Sequence, residues 1–233
     1  MSLRIVRMLA CVAAVSAAAV PDVQGQGTGS FLGAHRLELD AGALWLGGVD
    51  FGTADATLTA NQSARAGYTL FKTSSELAPT LGTEARLGFH VTRVFSVEAA
   101  FGYARPSLET RVSADVENAP ATTATERLSQ FSVDVSGVAH IWTLQLKSAV
   151  PFVVAGAGYL RELHAGNVIA ESGHTYHVGG GMKLPFVVRR GFVRALGLRL
   201  DARAIFRSGG ADLDASTPAR VTGAGAASLL IGF

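Results

Sequence analysis

The segment from Ala195 to Arg207 constrains the fold more than any other part of the chain. Its residues alternate in character, so that one row of side chains is apolar and the other carries most of the charge. The apolar row is Leu196, Leu198, Leu200, Ala202, Ala204 and Phe206, and the charged residues are Arg199, Asp201, Arg203 and Arg207. A period of two residues is the signature of a β-strand whose two faces lie in different surroundings.

Seven further segments alternate in the same way, and the eight together predict an all-β chain. They run from Arg36 to Leu46, Thr80 to Val91, Val94 to Tyr103, Leu128 to Ile141, Val150 to Glu162, Thr175 to Phe186 and Val221 to Phe233. In the segment that begins at Val150, we interpret Val153, Ala155, Ala157 and Tyr159 as the outward row. The apolar content is therefore spread over many strands, which is typical of a barrel with every second residue facing lipid.

Long and short connections alternate between these segments. The stretches from Gly47 to about Ala78 and from Arg105 to Arg127 are long and polar, whereas Thr92-Arg93 is a very short turn. Pro106 and Pro120 are expected to interrupt regular structure in the second long stretch. Both stretches are therefore predicted to be irregular, mobile surface loops.

The cost of burying charge decides which row faces inward. An Arg or Lys on the lipid-facing wall of a membrane barrel costs ~2–4 kcal/mol at mid-bilayer. Eight strands leave an interior that side chains can fill, where opposite charges can pair. The predicted interior charge network comprises Glu38, Asp40, Glu84, Arg86, Glu98, Asp134, Arg199, Asp201 and Arg203. His90 and His140 are expected to join its hydrogen bonds.

The beginning of the chain has the pattern of a secretory signal peptide. Arg4 and Arg7 precede an apolar run from Met8 to Val20, which is too short to span a bilayer as a helix. We expect cleavage near Gly25. The predicted organisation is a signal peptide at residues 1–25, a periplasmic lead-in at 26–35 and an outer-membrane barrel at 36–233.

Cysteine content and net charge exclude several classes of function. The only cysteine, Cys11, lies within the signal peptide and follows a poor lipobox, so neither lipidation nor disulfides are expected. Cleavage would remove Arg4, Arg7 and Asp22 from 20 basic and 18 acidic residues, leaving 18 and 17. Such a balance does not favour a nucleic-acid partner, because binding phosphates needs a concentrated basic surface.

Three stretches resemble strands of the small eight-stranded outer-membrane β-barrels of the OmpA transmembrane-domain, OmpX/Ail and OmpW type. They are Leu229-Leu-Ile-Gly-Phe233, Phe152-Val-Val-Ala-Gly-Ala-Gly-Tyr159 and Leu198-Arg-Leu-Asp-Ala-Arg203. The resemblance implies an eight-stranded antiparallel up-and-down transmembrane barrel in the bacterial outer membrane, with periplasmic termini and extracellular long loops. It also implies that Leu229, Ile231 and Phe233 form the signal read by the barrel-assembly machinery. We expect a monomer surrounded by outer-membrane lipid.

Three functions remain open at this stage. A plugged barrel would contribute to outer-membrane structure or to surface interactions, and the small radius favours it. A narrow channel for small solutes is the first alternative, which the OmpW resemblance also implies. A secreted soluble ligand-binding barrel is the second, and it would place the apolar rows inside and the charged rows in water.

The sequence predicts no catalytic, cofactor or metal site. His174 and His177 are three residues apart, which places them on opposite faces of a strand and argues against a shared metal. Glu171 and Ser172 beside His174 have the character of loop residues, so we do not expect an enzyme.

Two sets of residues are expected to meet the membrane surface. Lipopolysaccharide phosphates could contact a set of basic residues in loops or at outward strand ends. These are Arg65, Lys72, Arg105, Arg127, Arg207 and Arg220. The aromatic residues Trp45, Tyr103 and Tyr159 fall near strand ends, where interfacial girdles are expected.

Overall fold

The computed structural model describes residues 36–58, 68–117, 119–144, 149–164, 170–188, 192–209 and 220–233. The predicted signal peptide and lead-in, residues 1–35, lie outside this range. Within the described residues, no helix is long and apolar enough to cross a membrane.

The described chain contains twelve β-strands and one short 3-10 helix, Trp142–Leu144. In chain order the strands are β1 (Arg36–Leu46), β2 (Val49–Leu58), β3 (Tyr68–Leu77), β4 (Thr80–His90), β5 (Phe95–Ala104), β6 (Ser107–Ser113), β7 (Thr122–Arg127), β8 (Ser129–His140), β9 (Val150–Leu163), β10 (Ala170–Val188), β11 (Ala195–Gly209) and β12 (Arg220–Gly232).

Eight of these strands close into an antiparallel barrel in the order β1-β12-β11-β10-β9-β8-β5-β4. Strand β1 closes the ring, because it pairs with β12 on one side and with β4 on the other. Closure satisfies the backbone groups that a sheet edge would leave without partners. The prediction of an eight-stranded up-and-down barrel is confirmed. The largest difference in strand bounds is at β10, which begins at Ala170 rather than Thr175.

In the barrel strands the apolar row faces outward and the charged row faces the lumen, as the cost of placing charge on a lipid-facing wall predicts. On the outer wall Leu81 is 73% exposed and Leu229 is 65% exposed, whereas Glu38 and Arg199 in the interior are 3% and 1% exposed. Tyr159 and Val153 of β9 also point outward. This arrangement is the reverse of the one expected for a soluble ligand-binding barrel.

Two of the predicted loops are not irregular over their described parts. Strands β2, β3, β6 and β7 form a second antiparallel sheet in the order β2-β3-β6-β7. Each continues a barrel strand after one or two residues: β1 runs into β2 through Gly47-Gly48, and β5 runs into β6 through Arg105-Pro106. The prediction of irregular loops was therefore wrong. Pro106 marks the junction between two strands, and the pairing of β2 with β3 contains two irregularities that disturb the period of two.

An apolar cluster fixes the second sheet to the rim of the barrel. Val49, Leu77 and Leu128 are buried together, and Phe51 and Leu108 pack against them. The backbone N–H of Ala78 donates to Ser107 O at 2.8 Å, which joins the two hairpins at this level, and the N–H of Leu128 donates to Pro106 O at 2.9 Å within the second hairpin. The sheet is thus a packed extension of the β1/β4 and β5/β8 hairpins.

The barrel has two distinct ends. At the turn end, residues 91–94 connect β4 to β5, and Glu38 near the start of β1 pairs with Gly232 of β12. At the sheet end, the second sheet continues from the strands. Trp45, which is 47% exposed, points outward near the sheet end, as an interfacial aromatic would.

In a barrel whose outward row faces hydrocarbon, a charge placed on that row at mid-strand lowers stability. We expect Leu87→Arg, in the outward row of β4, to destabilise the barrel by ~2–4 kcal/mol in lipid vesicles. Leu81→Arg is the matched control at the sheet end of the same strand, where the cost should be only about 0–1 kcal/mol. Urea-dependent folding into vesicles measures both, and equal costs at the two positions would contradict a lipid-facing wall.

Candidate functional site

The lumen of the barrel contains every residue of the predicted charge network. The structure places Glu38, Asp40, Glu84, Arg86, Glu98, Asp134, Arg199, Asp201 and Arg203 on its inner wall. Their side-chain exposure runs from 0% for Asp201 to 12% for Asp134. Burial of this degree is tolerable for charged groups only when they are paired and hydrogen-bonded.

Arg199 of β11 is the centre of the cluster nearest the turn end. Its Nη1 donates to Asp40 Oδ2 at 3.1 Å and to Glu98 Oε1 at 2.8 Å, and its Nε donates to Asp201 Oδ2 at 3.2 Å. Asp40 lies on β1 and Glu98 on β5, so these contacts cross the lumen. Lys183 of β10 adds contacts to Glu38 and, at 3.3 Å, to Glu98.

Phe152 of β9 fills the space beside this cluster. Its ring lies 4.6 Å from the guanidinium carbon of Arg199 and 5.7 Å from Lys183 Nζ, both within the range of a cation–π contact. The ring centre of His140 lies 6.3 Å from that of Phe152 and 5.2 Å from that of His90. His90 Nε2 is 3.1 Å from Glu38 Oε2. Both histidines thus join the interior network at the turn end.

A second cluster lies at the middle of the barrel. Arg203 contacts both carboxylate oxygens of Glu84, at 2.8 and 2.7 Å, and its Nε donates to Asp201 Oδ1 at 2.8 Å. Arg86 contacts Asp201 at 2.8 Å and also pairs with Glu84. The four side chains form a ring of alternating charge.

A third cluster, the ion pair between Arg207 and Glu162, occupies the lumen closer to the sheet end. Arg207 Nη2 donates to Glu162 Oε1 at 2.5 Å, and both side chains are buried. The prediction that Arg207 meets lipopolysaccharide was wrong, because β11 extends to Gly209 and keeps Arg207 on the inward row.

Of the other basic residues predicted for the membrane surface, Arg220 is half-buried opposite Arg207 on the inward row of β12, and the rest are exposed or lie outside the described residues. Lys72, Arg105 and Arg127 are exposed. The guanidinium of Arg220 lies 4.5 Å from the ring centre of Phe51. Arg65 lies outside the described residues.

Besides Arg207, two members of the lumen network, Lys183 and Glu162, were missing from the predicted set. Lys183 lies on the same row of β10 as His177, and Glu162 lies near the end of β9. Extending the inward row of each strand to its last residue would have found both.

Ser136, His177 and Asp134 bring together the residue types of a hydrolytic triad without its geometry. Ser136 Oγ lies 2.9 Å from His177 Nε2, but His177 Nδ1 is 3.9 Å from Asp134 Oδ1, too long for a hydrogen bond. Ser136 lies in the middle of β8, which pairs with β5 on one side and β9 on the other. The backbone N–H groups that an oxyanion hole would need are therefore used in the hydrogen bonds of the sheet. The arrangement is therefore a polar patch of the lumen wall.

The histidines of the described chain form no metal centre. His174 points outward and packs against Tyr159 at 6.2 Å, whereas His177 points inward. Across the described ranges, no group of three or more His, Cys, Asp or Glu side chains is arranged to hold a metal ion.

A cavity opens in the lumen between the middle cluster and the sheet end. The space available to the centre of a water molecule is about 40 Å³. Its lining includes Leu44, Leu46, Gln130, Asp134 and Ile205. The lumen is thus filled around Arg199 and partly open above Arg203.

Comparison with known proteins shows the fold. No protein-family model matches the chain, and no curated protein matches it. Among solved structures, the outer membrane protein OprG from Pseudomonas aeruginosa aligns with a TM-score of 0.52 and 9% identity, over 91% of this chain and 99% of OprG. The chain has the fold of a small outer-membrane barrel. Ail, the attachment invasion locus protein of Yersinia pestis, aligns with a TM-score of 0.37 and 11% identity, over 86% of this chain and 99% of Ail.

Gly158 of β9 makes room for Asp134, and its replacement tests the packing of the lumen wall. A Cβ at Gly158 would lie 2.0 Å from Asp134 Oδ1 and 2.7 Å from Val133 O, so Gly158→Ala should destabilise the barrel by about 1–3 kcal/mol through overpacking. Gly223→Ala is the matched control, since its Cβ would meet nothing nearer than Trp45 at 3.9 Å. Urea-dependent unfolding in detergent compares the two. Equal stability of both variants would contradict the tight packing around Asp134.

Proposed function

We propose that this chain is a non-enzymatic outer-membrane barrel whose lumen is closed by ion pairs, and that it contributes to outer-membrane structure or to surface interactions. The observation that carries the proposal is the set of contacts from Arg199 to Asp40, Glu98 and Asp201. These contacts tie β11 to β1 and β5 across the barrel axis.

Closure of the lumen follows from the buried side chains that fill its cross-section. A channel needs a continuous path for water, and at the level of Arg199 this path is occupied by side chains from five strands. They are Asp40, Glu98, Phe152, Lys183 and Arg199, all buried. Separating these pairs inside the lumen would leave uncompensated buried charges, which disfavours opening at this level. This supports a plug over the alternative of a narrow solute channel.

The outward apolar rows support an outer-membrane location. A soluble barrel rarely exposes a contiguous apolar surface larger than a few hundred Å², whereas here the outward rows of neighbouring strands are apolar all round. In the orientation that we propose, the turn end faces the periplasm and the sheet end faces the exterior, as long loops do in such barrels. The strand with Leu229, Ile231 and Phe233 would then be the segment recognised during assembly.

The second sheet is the part that we propose for surface interaction. It extends beyond the barrel rim, and most residues of β7 are exposed. Lys72, Arg105 and Arg127 are exposed there or at the junction and would face lipopolysaccharide phosphates.

Ion conductance across a planar bilayer tests the plug. We expect wild-type protein to give no steady current, and Arg199→Met to give measurable conductance, because Asp40 and Glu98 would lose their shared cation. Arg105→Ala, which removes an exposed arginine outside the lumen, is the matched control and should remain silent. Steady conductance of the wild-type barrel equal to that of Arg199→Met would refute the plug.

Membrane location is tested separately by cell fractionation with gel electrophoresis. The chain should sediment with the outer membrane, and its unheated form should migrate differently from its boiled form, because a hydrogen-bonded barrel resists unfolding by detergent. Recovery of the folded chain in a soluble fraction without detergent would exclude the proposed location.

A further inference from the structure

The cavity near the sheet end has two chemically different walls. The apolar wall includes Leu44, Leu46, Ala104 and Ile205. These side chains pack together with Ala224 and Ala226 behind them. The polar wall includes Gln130, Ser132, Asp134 and Thr175, and Glu84, His177, Arg203, Arg207 and Thr222 also line the cavity. The two walls approach each other over Gly102 of β5, where an added Cβ would lie 2.5 Å from Ser132 Oγ and 3.6 Å from Leu44 Cδ2. A molecule in this space would touch both walls.

Asp134 differs from the other carboxylates of the lumen. Among the described residues, the other six each contact an Arg or Lys side chain: Glu38, Asp40, Glu84, Glu98, Glu162 and Asp201. Asp134 Oδ1 accepts only from Thr175 Oγ1, at 3.1 Å, and lies 3.9 Å from His177 Nδ1. Its Oδ2 has no hydrogen-bond partner within the described chain. This carboxylate therefore has capacity for a further donor.

Gln130 gives a second, independent sign of unused acceptor capacity. It lines the same cavity, is 8% exposed, and its Oε1 has no partner among the described residues. Buried acceptors normally have a partner. The arginines of the cavity do not supply one, because Arg203 is held by Glu84 and Asp201, and Arg207 by Glu162.

We propose that this cavity binds a small organic ammonium ion, with its N–H groups on Asp134 and its alkyl chain against Leu44, Leu46 and Ile205. A positive donor matches the unpaired carboxylate through a charge-assisted hydrogen bond. A short alkyl chain matches the apolar wall, where its burial is favourable. The volume accommodates several water molecules or a chain of a few heavy atoms. This binding does not depend on whether the barrel conducts, since the cavity lies on the sheet side of the Arg199 cluster.

Titration with n-butylammonium chloride tests the proposal. The full barrel, methyl-labelled and folded in detergent micelles, is titrated at about pH 8, where an alkylamine stays protonated. We expect saturable NMR shifts of the Leu44, Leu46 and Ile205 methyl groups. 1-Butanol and sodium butyrate, which have the same chain length without the positive charge, should bind about tenfold more weakly or worse. Ammonium chloride should also bind more weakly, because it lacks the alkyl chain.

Two variants assign the binding to the cavity. Asp134→Asn retains an acceptor for Thr175 Oγ1 and removes the charge, so the affinity for n-butylammonium should fall about tenfold or more. Asp55→Asn, the same change at an exposed position in β2, is the matched control and should leave the affinity unchanged. Ala104→Leu keeps Asp134 but fills the apolar side, and it should abolish saturable binding. Heat-modifiable migration on a gel verifies that each variant is folded.

Several outcomes would overturn the proposal. Equal affinity for n-butylammonium and 1-butanol would show that charge is not recognised, and equal affinity for ammonium would show that the apolar wall is not used. Unchanged affinity in folded Asp134→Asn, or in folded Ala104→Leu if Asp134→Asn does not fold, would place any binding elsewhere.

Discussion

The pairing of charge inside a narrow lumen is the constraint on which the rest of this structure depends. Three arginines of β11, Arg199, Arg203 and Arg207, recur every fourth residue on its inward row, so they lie at three successive levels along the barrel axis. Each meets carboxylates from other strands: Asp40 and Glu98 at the first level, Glu84 at the second and Glu162 at the third. One strand therefore supplies most of the positive charge, and the strands around it supply the counter-charge. The outward row of β11 can remain apolar because all of this charge is neutralised inside.

The distribution of side-chain volume along the axis explains why one part of the lumen is filled and another is partly open. Around Arg199, the inward rows carry large side chains such as Phe152 and Lys183, both buried, together with the rings of His90 and His140, whose centroids are 5.2 Å apart. Towards the sheet end, β5, β9 and β12 place small residues inward, including Gly102, Ala104, Gly158 and Ala224. Side chains from neighbouring strands occupy part of this space, as Asp134 does over Gly158. What remains is the cavity, and the apolar cluster of Val49, Leu77 and Leu128 fixes the second sheet above it.

The barrel could be predicted from the sequence because its two environments impose a strict period of two. Strands such as β1 and β11 carry this period without interruption, and their predicted bounds agree with the structure within two residues. The second sheet could not be predicted in the same way. Its strands are polar and partly exposed, and the β2/β3 pairing is shifted at Asp50/Gly52 and Ala56/Thr57, so no period separates two environments. For the lumen, row parity predicted which residues point inward. It could not predict which carboxylate lacks an Arg or Lys partner, since that depends on distances between strands remote in sequence.

Two carboxylate–histidine pairs of the lumen, Glu38 with His90 and Asp134 with His177, show why we expect a ligand to bind at the sheet end and not at the turn end. Seven carboxylates and five Arg or Lys side chains line the described lumen, so direct ion pairing cannot match them one to one. Near the turn end, His90 Nε2 lies 3.1 Å from Glu38 Oε2 and can supplement the Arg and Lys partners, and Phe152 fills the adjacent volume. At Asp134, the corresponding separation from His177 is 3.9 Å, and His177 Nε2 is engaged with Ser136. This carboxylate also borders open space rather than an aromatic ring. Asp134 therefore combines a charge without an Arg or Lys partner with adjacent open volume, which is why we place the cationic ligand there and not at the level of Arg199.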